Sequence, residues 1–251
     1  IINIIQSSSL MKISILIPVY NDEKHLTQNI DRLLFSLKKT NFEFELIIIN
    51  DGSTDQTLKE VKKMKYENVR YETYEKNMGK GYAIKRGIEN SYYNNILFTD
   101  ADLAYPPSQI VKIMETFQRY NGKKMIIANR RHKNSKFILS YDDIRYVYLR
   151  EIIGRTFNRL LKLLSLTSHQ DTQSGLKIFP KDQIVINKIS SNDFLFDVEL
   201  LSYLKKKNLD IIDIPIEYTY HDSSSSLNIF KDSFIMFFKL LKLFIKLKKN
   251  D

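Results

Sequence analysis

Cysteine is absent from the 251-residue chain. Neither disulfides nor thiolate metal sites are therefore available to it, and a reducing compartment suits it. No uncharged apolar run approaches the roughly 18 residues that span a bilayer, so any membrane contact is expected to be peripheral. The opening IINIIQSSSL is short for a signal peptide and has no basic start. It lacks an initiating Met, whereas Met11 directly precedes the first strand-like run. Residues 1–10 read as an upstream or poorly ordered extension, 11–226 as the main domain and 227–251 as a terminal helix. Repeats are missing, and the serines at 223–226 form the only low-complexity patch.

The charges are unbalanced instead. Thirty-nine basic and 29 acidic side chains leave a net charge of +10, which favours nucleic acid, a lipid surface or a phosphorylated substrate as partner. The basic residues are dispersed and no DNA- or RNA-binding motif is present, which sets nucleic acid aside. A non-catalytic basic binding protein stays open as a reading from a different class. Hydrophobic residues at 43% supply a sizeable core.

The first half alternates regularly. ISILIPV (13–19) is a β-rich run, and 23–39 carries Leu26, Ile30, Leu33, Leu34 and Leu37 at helical spacing. FELIIIN (44–50) is apolar enough to be buried on both faces. Helices are predicted at about 56–64, 80–90 and 107–119, and strands at 69–74, 95–99 and 124–129. Such alternation predicts an α/β fold, a parallel sheet with helices on both faces. Ligands on such sheets bind beyond the carboxyl ends of the strands; Asp51, Asp100 and Asn129 or Arg130 sit at such ends.

The second half is expected to pack on the same sheet. It reads as a long basic amphipathic helix (143–166, with Arg145, Arg150, Arg155 and Arg159), a strand at 175–179 and a helix at 196–207. An edge strand at 210–220 interrupted by Pro215 and a last helix at 228–249 complete it. On that helix Lys239, Lys242, Lys246 and Lys249 share one face, while Phe230, Phe234, Phe237, Leu241 and Phe244 follow another. The pattern suits a helix lying in a membrane interface, and equally a core-packing helix with a solvated lysine face.

Three stretches carry the chemistry. ILFTDADLAYPP (96–107) ends an apolar run with Asp100 and Asp102. Two carboxylates so close repel unless a cation lies beside them. Mg²⁺ or Mn²⁺ suits them, taking carboxylate oxygens and sharing its other positions with phosphates. The plain alternative is a solvated Asx-type turn before Pro106. In NDGSTD (50–55), Ser53, Thr54 or Asp55 can cap the next helix and Gly52 permits a tight bend. Asp51 is left at the strand end to accept hydrogen bonds from a nucleobase or ribose, and Tyr20 of IPVYND (17–22) can stack on a base or simply pack. NMGKGYAIKRG (77–87) is neither a Walker A loop nor a dinucleotide fingerprint. Its Gly79 and Gly81 allow close backbone approach and its Lys80 can offset phosphate charge.

Taken together, these stretches resemble the family 2 glycosyltransferases of GT-A fold. The matching residues are Pro18, Tyr20 and Asn21; Asp51 to Asp55; Asn77, Gly79, Lys80 and Gly81; and Asp100, Ala101 and Asp102. Asn50 departs from the family, which commonly has its first Asp there. DTQSGLKIF (171–179) and FDVELL (196–201) are similar to the polyprenyl-phosphate sugar transferases, the dolichyl-phosphate β-glucosyltransferases in particular. Ala104, where mannose-transferring relatives often have a polar residue, points to a glucosyl-type donor.

The resemblance implies a Rossmann-like, mixed and mostly parallel sheet flanked by helices, a UDP-sugar donor (alternatively a GDP-sugar) and a polyprenyl phosphate acceptor. It further implies an Mg²⁺ or Mn²⁺ cofactor and a β-linked product formed with inversion. Pro18, Tyr20, Asp51, Lys80 and Asp100 would contact the nucleotide, and Asp100 and Asp102 the metal. Arg130, Arg131 and Arg155 would hold the acceptor phosphate. Asp171 would act with Arg130 and Arg155 in catalysis, orienting the acceptor or serving as base, with Asp197 a further candidate. Where relatives have Ser-Lys after the last strand, only the serines 223–226 stand. The expected place is cytoplasmic, at the inner face of a membrane. A relative acting on a saccharide or cell-wall hydroxyl, and an inactive scaffold, remain the alternatives within the family.

Overall fold

The structure is a computed structural model that describes residues 10–138, 144–219 and 229–249, apart from the side chains of 144–147, 149–150, 229–237 and 249. The first half alternates as its pattern predicts. β1 (Lys12–Val19), α1 (Leu26–Leu37), β2 (Glu43–Asp51), α2 (Thr57–Lys63), β3 (Val69–Tyr74), α3 (Lys80–Glu89), β4 (Asn95–Phe98), α4 (Pro107–Arg119) and β5 (Met125–Asn129) follow one another. Period-two side-chain direction divides the core. Ile13, Ile15, Ile17, Leu46 and Ile48 face α1 and α4, while Leu16, Ile47 and Ile49 face α3. The helix expected from residue 23 starts at Leu26, because the amides of Asp22 and Glu23 instead donate to Thr57 Oγ1 (2.8 Å) and Asp55 Oδ2 (3.2 Å).

The second half adds β6 (Lys136–Ile138), α5 (Ile144–Leu163), β7 (Lys177–Pro180), α6 (Phe196–Lys206), β8 (Ile211–Pro215), β9 (Glu217–Thr219) and α7 (Ile229–Lys249). The main sheet has the order β3-β2-β1-β4-β7-β5-β8. All neighbours in it are parallel except β7, which runs antiparallel to both β4 and β5. This reversal makes the sheet mixed and mostly parallel, as the family resemblance implies, and it has a consequence for the site. β7 enters the sheet from the edge where β4 and β5 end, so the residues just before it stand beside Asp100 and Arg130.

The single edge strand expected at 210–220 is two strands. Pro215 has no N–H to continue a ladder; β8 pairs with β5, whereas β9 turns away to pair with β6, an element of three exposed residues that no periodicity announced.

A third apolar cluster joins α5, α6 and α7 through Phe157, Leu161, Leu195, Val198, Leu240 and Leu243. Lys239 donates to Asp193 (2.5 Å), and Lys246 to Ser190 Oγ (2.6 Å) and Glu199 (3.2 Å). Phe238, Lys242 and Ile245 face outward. The side chains of Phe230, Phe234 and Phe237, and the serines 223–226, lie outside the described residues. Leu240 is fully buried and Ile245 is 54% exposed. Leu240→Ala is therefore expected to cost about 2–5 kcal/mol in urea unfolding, and Ile245→Ala within about 0.5 kcal/mol.

Candidate active site

The carboxyl edge of the sheet gathers the residues that the motifs single out. At the ends of β1 and β2 two loops are laced together. Asn21 N donates to Ser53 Oγ (3.0 Å), and Thr54 N to Asn21 Oδ1 (2.8 Å). Asp55, just before the N-cap Gln56, leads into α2 by accepting from Thr57 N at Oδ1 (2.9 Å). Gly52 has φ +64°, and a Cβ there would fall 2.3 Å from the Lys76 carbonyl carbon, so no other residue fits this bend. Asn50 is buried and works as a turn residue, its amide donating to Thr73 Oγ1 (3.0 Å) while its side-chain oxygen accepts from Ser53 N (3.4 Å). A neutral amide thus does local work at the departure from the family pattern.

Asp51 was expected to stand free at its strand end. It is buried, and its two oxygens accept from Met78 N (2.7 Å) and Gly79 N (3.0 Å). It therefore ties the Gly-rich loop to β2, and each oxygen retains a second lone-pair direction. Tyr20 is 43% exposed beside this loop pair, and Pro18 is half-buried in β1.

Lys80, the first residue of α3, forms an ion pair with Asp100 Oδ1. Burial alone would raise the Asp100 pKa; the Lys80 ammonium, reinforced by Arg130 and Lys177, holds it below the usual carboxylate range. Its other oxygen, Oδ2, lies against Gly175, where an added Cβ would come within 1.8 Å. Asp102 does make the Asx-type turn, Oδ1 accepting from Ala104 N at 3.0 Å. Among the described residues no group of three or more His, Cys, Asp or Glu side chains forms a cation cage. Asp100 and Asp102 are hard oxygen donors two residues apart at the end of β4. This fits an Mg²⁺- or Mn²⁺-type ion that completes its coordination with phosphate oxygens and water.

Across β7 stands a second pair. Asp171, 1% exposed, accepts from Arg130 Nη2 at Oδ1 (2.7 Å) and from Arg130 Nε (2.7 Å) and N (2.9 Å) at Oδ2. Burial would raise the Asp171 pKa, but the bidentate guanidinium holds it low. Arg130 also lies 5.5 Å from the centre of the Tyr218 ring.

Arg131 donates to Glu151 (3.1 Å) and to Gln170 O (2.6 Å). Arg155 reaches the same Glu151 (2.8 Å) from an exposed position on α5. The structure therefore brings Arg130, Asp171, Lys80 and Asp100 to one rim. Arg131 and Arg155 stand at its α5 side, where both meet Glu151, and the side chains of Arg145 and Arg150 lie outside the described residues.

Sequence reasoning passed over Lys177. It is fully buried and donates to Ser174 O and to Asp197 Oδ1 (2.6 Å), so the Asp197 carboxylate is engaged beneath the rim. The available signal was a lysine inside the apolar run GLKIF. Buried Tyr105 was also missed; its hydroxyl accepts from Gly175 N (3.0 Å) and pairs with Ser174 Oγ (3.0 Å).

Residues 14–182 match glycosyl transferase family 2. With the mixed sheet and the acidic rim already described, this places the chain in that family: it is a glycosyltransferase of GT-A fold. Among its relatives, the human dolichyl-phosphate β-glucosyltransferase is 31% identical over 235 residues, covering 88% of this chain and 71% of the relative. The Saccharomyces cerevisiae enzyme of the same name is 28% identical over 232 residues, covering 84% and 68%. Mycobacterium tuberculosis glucosyl-3-phosphoglycerate synthase, solved with uridine diphosphate, shares the fold at a TM-score of 0.61. It is 17% identical over 85% of this chain and 73% of that one.

Proposed function

We propose that this glycosyltransferase moves a hexose, glucose by preference, from UDP-sugar to a polyprenyl phosphate with inversion at the anomeric carbon. A GDP-sugar is the alternative donor. The single observation that carries the reading is the pairing of Lys80–Asp100 with Arg130–Asp171 on either side of β7, one acid–base pair for each of two anionic ligands. Similarity to dolichyl-phosphate β-glucosyltransferases supports the acceptor class. The uridine diphosphate and Mn²⁺ held by the M. tuberculosis synthase support the donor and the ion.

Pro18, Tyr20 and Asp51 flank the nucleoside, and Lys80 turns to the diphosphate. Asp100 and Asp102 would hold Mg²⁺ or Mn²⁺, and the ion would supply positive charge to stabilise a nucleoside diphosphate leaving group. The acceptor, a phosphate monoester with a second pKa of about 6, is mostly a dianion at pH 7 and needs positioning more than deprotonation. Arg130 holds it in line with the anomeric carbon, and Arg131 and Arg155 extend the cationic wall toward α5. Asp171 fixes the plane of the Arg130 guanidinium; the low pKa of its carboxyl suits this orienting role and not that of a base.

No described helix is long and apolar enough to cross a membrane. The outward Phe238, Lys242 and Ile245 of α7 suit peripheral attachment at a cytoplasmic membrane face. Labelled UDP-glucose incubated with a short polyprenyl phosphate and Mn²⁺ should give label extractable into organic solvent, and EDTA should abolish it. Label transferred only to water-soluble saccharide would refute the acceptor assignment.

A further inference from the structure

We propose that Lys177 is a positioning residue for sugar transfer, acting on the Lys80–Asp100 pair through the turn at 171–175 and the start of α6. This rests on the reading of Asp100 and Asp102 as the cation-binding carboxylates. Lys177 lies in mid-sheet, opposite Phe98 on β4 and Ile127 on β5. It has no exposed surface, and its ammonium sits 5.2 Å from the Phe98 ring centre. A buried ion pair there stabilises a fold no better than apolar side chains of the same size. Its value lies in what it holds.

One end of its reach is Ser174 O, in the turn whose Gly175 presses against Asp100 Oδ2 and whose Asp171 grips Arg130. The other end is Asp197 in the first turn of α6. The neighbouring Phe196 packs so tightly on Gly81 that a Cβ there would approach its own Cβ to 2.6 Å. Lys80 precedes Gly81 directly. Both oxygens of Asp100 therefore rest on elements that Lys177 joins: Oδ1 on Lys80, backed by α6, and Oδ2 on the 171–175 turn. Tyr105, bonded to Ser174 and Gly175, closes the turn from the opposite side. Supporting contacts of this kind around metal-binding groups are typically worth about 10–100-fold in metal affinity or activity.

The test compares Lys177→Met with Lys177→Met/Asp197→Asn, measuring Mn²⁺ affinity at saturating UDP by electron paramagnetic resonance beside thermal stability. The single variant leaves a buried carboxylate uncompensated, so stability and affinity should both fall. In the neutral double variant stability should recover, while Mn²⁺ affinity stays about 10–100-fold weak and kcat falls with little change in donor KM. Recovery of affinity together with stability would reduce the pair to scaffolding and overturn the proposal.

Should the Lys177 variants not fold, Gly175→Ala carries the test with Lys177 intact. Its Cβ displaces the Asp100 carboxylate, Mn²⁺ affinity should drop comparably, and unchanged affinity would overturn the role of the turn. Asp102→Asn separates the two levels. If it too leaves Mn²⁺–UDP binding unchanged, the cation reading itself fails; if only it weakens binding, the Lys177 role alone fails.

Discussion

Asp102→Asn is expected to lower transfer about 1,000-fold while leaving the fold intact. The substitution is nearly isosteric, and an Asn side-chain oxygen can still accept from Ala104 N, as Asp102 Oδ1 does at 3.0 Å. What disappears is one negative charge from the rim. A divalent ion bound by these carboxylates would contribute several kcal/mol to a leaving group that gains charge, and each 1.36 kcal/mol is tenfold in rate, which gives the figure of about 1,000-fold. Two readouts separate this from loss of structure. The thermal midpoint should move by no more than a few degrees, since the near-isosteric change keeps the hydrogen bond from Ala104 N and removes no packed atoms. UDP affinity should fall when Mn²⁺ is present and stay level when it is chelated. Undiminished turnover in Asp102→Asn would remove the cation from the reaction.

Much of this candidate site is legible in the amino-acid sequence. Asp100, Lys80 and Arg130 follow apolar runs or a Gly-rich turn, and in a sheet fed by helices those places fall on one edge. Burial of β1 and β2 on both faces likewise follows from their composition. What could not be read was direction and partnership. Nothing in GLKIF tells a parallel strand from an antiparallel one, yet the reversal of β7 is what sets Asp171 and Gly175 beside Arg130 and Asp100. Asp51 looked available because a strand end is normally open; the loop that covers it lies 27 residues on, at Met78. Lys177 drew no reading of its own, since its pairing with Asp197 exists only in three dimensions. The split at Pro215 was visible as a missing N–H, but its destination depended on β6, three residues without a pattern.

Arg130→Ala is expected to abolish transfer to the lipid phosphate and to destabilise the protein by about 3–5 kcal/mol at pH 7, the range for leaving one member of a buried ion pair alone. Donor binding, on the other side of β7, should survive in the folded fraction. The stability loss should depend on pH with a definite sign. In the parent, Asp171 titrates below its unfolded value of about 3.9, so its contribution is complete above about pH 5 and is lost as pH falls through the lowered folded value. Without Arg130, burial becomes the dominant influence on Asp171 and pushes its pKa up, so the variant gains stability relative to the parent as the medium becomes acidic. Urea unfolding at pH 7 and pH 4 should therefore show the gap between the two proteins narrowing at pH 4. A constant gap would mean that the Arg130–Asp171 ion pair is not what the substitution removes. Arg130→Lys offers the complementary comparison: it keeps the charge but not the two-pronged contact, so it should restore part of the stability and little of the turnover, because holding a phosphate in line depends on the guanidinium plane that Asp171 fixes.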